Sequence, residues 1–109
     1  MTIQSTAFVP TGNASRYLQQ LCKHWAHSLA VEYTAEDAVV VFPRDSRGAN
    51  WPGHATLKIQ AAEEALECRL TASASEQLEA LKGVVARHLD RFAFREAPLA
   101  FDWQDTPNG

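Results

Sequence analysis

A chain of 109 residues, 46% hydrophobic and 21% charged, can bury roughly two thirds of its unfolded surface around one core, so neither disulfides nor a metal is needed to fold it. A net charge of −3 excludes wholesale binding to a nucleic-acid backbone, which takes a strong positive excess. No apolar run reaches the roughly 18 residues of a membrane span, and the start, MTIQSTAFVPTG, has neither the basic head nor the apolar centre of a signal peptide, so a cytoplasmic protein is expected.

In chain order, STAFVPT (residues 5 to 11) is β-branched and aromatic and reads as a first strand, broken by TGN. From Ala14 to Leu29 the residues Ala14, Leu18, Leu21, Cys22, Trp25 and Leu29 recur at three- and four-residue spacing, the signature of a helix with one apolar face. VEYT and AVVVF form a first hairpin, ATLKIQA and ALECRLTA a second, and PRDSRGANWPGH (43 to 54) is the long connection between them. A second helix opens with Ser73 and Glu76 in capping-box spacing and carries Ala74, Leu78, Leu81, Val85, Leu89 and Phe92 on one face. PLAFDW alternates Leu99, Phe101 and Trp103 and is expected as the last strand, before a polar tail over 104–109.

The order β-α-β-β-β-β-α-β predicts a single α+β domain over 1–109: a two-layer sandwich with a mostly antiparallel curved sheet and two antiparallel helices on one face. This order resembles the TATA-binding-protein-like fold, although an acidic chain does not inherit DNA binding with the fold. Cys22 and Cys68 are expected as buried thiols acting as small apolar side chains.

The stretch LCKHWAHS packs Cys22, His24 and His27 into one helix end and raises the question of a metal. Measured from Leu18, Cys22 lies about 40° to one side of the apolar stripe, His24 about 120° to the other, and His27 nearly opposite. Cys22 therefore points into the core, and a metal site would have to use His24 and His27 with His88, which lies about 80° off the second helix's stripe on the matching flank. With helix midpoints aligned, His88 falls beside Arg16 and Tyr17, about 12 Å short of His24 at 1.5 Å per residue. The same flank offers another chemistry: Arg16, Tyr17, His24, His88, Arg91 and Arg95 form a groove whose forked donors suit a small anionic ligand such as a carboxylate. The 43–54 connection presents Arg44, Arg47, Trp51 and His54, a candidate surface for a protein partner. There is no glycine-rich phosphate loop, zinc-hydrolase helix or nucleophile elbow, so no catalytic residue is assigned and a non-enzymatic role is expected, with no cofactor implied.

The segments ASRYLQQLCKHWAHS and VVARHLDRFAFRE, with Trp103 ending the closing strand, resemble the bacterial family known as domain of unknown function 2218. The positions that carry the resemblance are Arg16, Tyr17, Leu18, Gln20, Leu21, Cys22, His24 and His27, then His88, Leu89, Arg91, Phe92 and Arg95. The 43–54 connection departs from the family pattern, where a tighter link is expected. The resemblance brings no established activity. It implies an accessory role beside siderophore-interacting flavoproteins, hence in iron acquisition, which is association rather than mechanism.

Overall fold

The computed structural model describes residues 2–45 and 48–108, the last two without their side chains. Its elements are β1 (Thr2–Pro10), α1 (Ala14–Trp25), β2 (Ala30–Tyr33), β3 (Asp37–Phe42), β4 (Ala55–Ala61), β5 (Ala65–Ala72), α2 (Ser75–Phe92) and β6 (Gln104–Asn108). The strands form one sheet in the order β2-β3-β4-β5-β1-β6, antiparallel at every pairing.

Strand alternation assigns the two faces. The register sets Ser5, Leu70, Leu57 and Val40 in one row and Ala7, Cys68, Ile59 and Ala38 in the next, all buried. The intervening row of Thr6, Arg69, Lys58 and Val39 points the other way, toward solvent. A one-residue slip would exchange these rows, so burial fixes the register. Both helices lie against the buried face, α1 over β2 to β5 and α2 over β5 and β1. Leu18, Leu21 and Cys22 from α1 and Leu78, Val85 and Leu89 from α2 complete the core. Burial pushes the thiols of Cys22 and Cys68 up, to about 11 and about 12, which makes them inert packing groups.

β1 begins at Thr2 rather than at Ser5, and three further features differ from the sequence reading. α1 stops at Trp25 rather than Leu29: after Ala26 donates to Cys22 O (2.9 Å), Ser28 donates to Trp25 O (3.0 Å), a three-residue step that tightens and ends the helix. Leu29 stays against the core, so periodicity registered its burial but not the change of backbone. At the start of α2 the expected Ser73–Glu76 box is replaced by Gln77, whose Oε1 accepts from Ser73 N at 2.8 Å and from the Ser73 hydroxyl at 2.6 Å.

The third difference is the last strand. Leu99 is buried and Phe101 stacks on Trp103 at 5.8 Å, but 98–103 makes no ladder. The paired strand is β6, in the segment expected as a polar tail, with Gln104–Asn108 opposite Thr2–Thr6. Polar residues enter the sheet because Asp105 is gripped there: its Oδ1 accepts from Ser5 Oγ (2.6 Å) and Lys82 Nζ (2.7 Å). Those two donors, Lys82 foremost, hold the Asp105 carboxyl below its ordinary range. Among the described residues no helix is long and apolar enough to cross a membrane.

Candidate functional site

On the helix side a cavity of about 600 Å³ lies between the end of α1, the exposed flank of α2 and the connection after β3. α1 and its turn contribute His24, Trp25, Ser28 and Leu29; β3 ends in it with Phe42; α2 contributes Gln77, Ala80, Leu81, Val84 and His88. Pro43, Gly48, Ala49 and Trp51 complete the wall from the connection. Gly48 has φ of 78° and its N–H donates to Asp45 O (3.2 Å), a left-handed turn position that glycine fills without strain.

The rings are mutually packed. Trp25 meets Phe42 edge-on at 5.3 Å and the His88 ring at 5.2 Å; His24 lies 5.8 Å from His88 and 5.8 Å, edge-on, from Phe92. His88 Nδ1 is 2.7 Å from Val84 O, a bond that needs the proton on Nδ1 and so makes Nε2 the acceptor in the neutral ring.

Gln77, buried among these walls, is committed to holding the connection. Besides accepting from Ser73 it donates through Nε2 to Gly53 O (3.0 Å), and Gly53 N donates to Ser73 Oγ (3.0 Å). Arg44 closes the other end on itself: Nε donates to Trp51 O (3.1 Å), Nη2 to Asn50 Oδ1 (2.8 Å), and Trp51 N to Arg44 O (3.0 Å). These bonds set Trp51 half-buried in the cavity wall. Arg44 is thus an internal strut, His54 is exposed and outside the lining, and Arg47 lies outside the described residues.

The helix register differs from the aligned one. His88 faces His24, not Arg16 and Tyr17, because α1 is slid along α2 until its C-terminal end meets the histidine. Tyr17 is buried elsewhere and donates its hydroxyl to Glu96 Oε2; Thr11 Oγ1 donates to Glu96 Oε1 (2.8 Å) and Asn13 Nδ2 to Oε2 (3.1 Å). Where the aligned register would seat an anion beside Tyr17, the chain's own carboxylate sits. Tyr17, Asn13 and Thr11 hold that carboxyl below the usual range, and the Glu96 contact pushes the Tyr17 hydroxyl up. Arg16, Arg91 and Arg95 are exposed and outside the cavity lining, with the Arg95 guanidinium 5.8 Å over the Phe94 ring. The six-residue groove is therefore divided, and only His24 and His88 of it meet.

His27 follows the end of α1, exposed, and does not join them. Among the described residues no group of three or more His, Cys, Asp or Glu side chains is placed to share a metal ion, so the three-histidine clasp is not formed. Two imidazoles alone fall short of the three or four protein ligands of a stable zinc site. Sequence reasoning missed Gln77, Phe42 and Leu81 as lining residues. Gln77 had one visible signal, its position four residues after Ser73 at a helix start.

Together these features define a small α+β domain, a six-stranded antiparallel sheet covered by two helices, with a ligand-sized cavity beside the helix pair. A family model described as "Uncharacterized protein conserved in bacteria (DUF2218)" matches residues 6–104, and the chain belongs to that family. Among solved structures, the NMR structure of PA4090 from Pseudomonas aeruginosa is similar, with a TM-score of 0.71 and 30% identity over 94% of this chain and 95% of that one. No functionally curated protein matches the chain.

Proposed function

We propose that this protein is a non-enzymatic binding module that holds a small, largely apolar ligand in the cavity between α1, α2 and the 43–54 connection. One observation carries the reading: a cavity of about 600 Å³ whose walls are aromatic and aliphatic, with few polar groups converging on it. Ligand pockets run from about 300 to 1,000 Å³ and have this character. Gln77 and Arg44 hold the wall in place through hydrogen bonds to Gly53 and Asn50, the kind of support a preorganised binding site needs.

The neutral dye N-phenyl-1-naphthylamine tests the reading, since its fluorescence rises in apolar surroundings. Binding is expected, and Leu81→Trp, which fills the cavity, is expected to abolish it while Phe8→Ser on the open sheet face leaves it unchanged. Dye binding that survives Leu81→Trp would place the site elsewhere.

The family resemblance extends the proposal to a cytoplasmic accessory role beside a siderophore-interacting flavoprotein, with the TATA-binding-protein-like architecture as its scaffold. A protein that holds a small ligand and does not transform it suits such a role. Sedimentation of the two purified proteins together tests the pairing: a joint boundary is expected, and independent sedimentation at tens of micromolar removes the partner.

A further inference from the structure

The face of the sheet turned away from the helices carries its charge in rows. One row, Asp37, Gln60, Glu67 and Phe8, holds acids; the next, Glu32, Val39, Lys58, Arg69 and Thr6, holds two bases at its centre. We propose that two copies of the chain meet through this face, the acid row of one lying over the base row of the other about a two-fold axis that runs between the rows.

Such an axis lies between the two sheets and along the rows, so it sets each strand over its own counterpart and exchanges the rows. On β5, Glu67 comes opposite Arg69 of the second copy, and Arg69 opposite its Glu67. On β4, Gln60, whose Nε2 donates to Asp37 Oδ1 (3.3 Å), comes opposite Lys58. β4 and β5 are the two central strands of the six, where a crossing of about 30° between twisted sheets separates facing residues least. Stacked sheets sit about 10 Å apart, a gap that an arginine and a glutamate span together. Glu32, at the β2 end of the base row, falls opposite Thr34 rather than an acid.

Within one chain these groups are under-used. Arg69 reaches Glu67 only at 3.9 Å, and among the described residues Lys58 has no ion-pair partner. Phe8 is 62% exposed and Val39 38%, so the face offers apolar contact beside its charges. Between the rows the surface sinks into a depression of about 330 Å³ bounded by Asp37, Lys58, Gln60, Glu67 and Arg69, which gives the side chains of a second copy room to interdigitate.

The same pattern argues against other occupants. A phosphodiester backbone or an anionic bilayer drawn to Lys58 and Arg69 meets Asp37 and Glu67 in the next row, and a polycation meets the reverse. A second copy presents both signs in the matching order. Six strands spaced about 4.8 Å and about 20 Å long give a face of roughly 500 Å², hence about 1,000 Å² for the pair, the low end of specific interfaces. A readily reversible dimer is therefore expected, with the cavity on the helix side left uncovered.

Sedimentation velocity of the full chain from micromolar to millimolar concentration is the test. A monomer–dimer equilibrium is expected, weaker as salt rises because the facing charges are screened. Arg69→Glu and Glu67→Arg, each alone, set like charges opposite one another at two symmetric places and are expected to weaken dimerisation at least about ten-fold. Mixed in equal amounts, the two variants bring opposite charges together again at both places, and a heterodimer is expected. Unchanged NMR resonances from the helix side check that each variant is folded. Phe8→Ser is expected to weaken the dimer less. A chain that stays monomeric at millimolar concentration overturns the proposal. Self-association that both charge variants retain also overturns it, by placing the contact on another surface. A mixture that dimerises no better than its components removes the facing of Glu67 and Arg69.

Discussion

The two ends of the seam between α1 and α2 use similar side chains to opposite ends. At the end near the start of α1, a tyrosine, a threonine, an asparagine and a glutamate meet, and every donor is aimed at Glu96. At the other end His24, His88 and Trp25 meet, and their rings border an open space. The first cluster is closed because its anion is supplied by the chain and its hydrogen bonds are satisfied within the protein. The second is open because its imidazole and indole rings line a cavity that Leu81, Val84 and Phe42 also wall. The two clusters are thus told apart by what their side chains enclose, a carboxylate of the chain at one end and a cavity at the other, and not by the residue types they gather.

The largest effect that breaks the comparison comes from Leu89, fully buried on α2 beside His88, its carbonyl accepting from Ala93 N–H on the turn that leads to Glu96. Leu89→Ala is expected to cost about 2–5 kcal/mol, read as the midpoint of urea unfolding, with both clusters disturbed together in NMR spectra. A loss confined to one end would mean that the two are packed independently. Next is Gln77→Ala, which leaves Ser73 N–H without its acceptor and takes from Gly53 C=O one of its two donors, the Ser73 hydroxyl remaining, and is expected to cost about 1–3 kcal/mol. Its distinctive sign is a shift of the Trp51 indole resonance with Tyr17 unmoved. A Trp51 signal that stays in place would show that Arg44 alone sets the wall.

Tyr17→Phe acts at the closed end, with a smaller effect visible in its pH dependence. Glu96, whose folded value is depressed, binds its proton less readily folded than unfolded. It therefore stabilises the protein above the ordinary glutamate value of about 4.3, and that contribution is lost as pH falls toward the folded value. Tyr17 is raised, so its contribution is present below about 10 and lost as pH climbs through the higher folded value. Removing the hydroxyl is expected to flatten the alkaline limb and weaken the acid one, leaving the acid limb from Asp105, which Lys82 and Ser5 hold down. An unchanged alkaline limb would show that the Tyr17–Glu96 bond is not formed in solution.

How much of this was legible in the sequence follows from what periodicity can carry. Helical arithmetic put His24 and His88 on matching flanks and sent Cys22 inward, because those are properties of one helix at a time. It could not set the slide of α1 along α2, a property of two helices together that goes with a bond from Tyr17 to a residue past the end of α2. PLAFDW displayed its alternation as burial, while the ladder went to Gln104–Asn108, a polar run whose strand state is imposed by the edge of β1 and the grip of Lys82 on Asp105. Pro107 is tolerated there because β6 is an edge strand and can lack one donor. The cavity itself was invisible, since it is made where four segments meet, and Phe42 and Leu81 look like any other core residues in a one-dimensional pattern.

The smallest expected effect gives the finest test of the division. Arg95 is exposed and its guanidinium rests over Phe94, itself 72% exposed. An exposed cation over an exposed ring is worth little, so Arg95→Ala is expected within about 0.5 kcal/mol of the parent protein. Its effect on binding of N-phenyl-1-naphthylamine is expected to be nil, because Arg95 lies outside the cavity lining. Arg91→Ala should behave alike at a different point on the helix surface. Weaker dye binding in either variant, read from the fluorescence titration, would mean that the binding wall extends past His88 along α2 and that Glu96 does not close the far end of the seam.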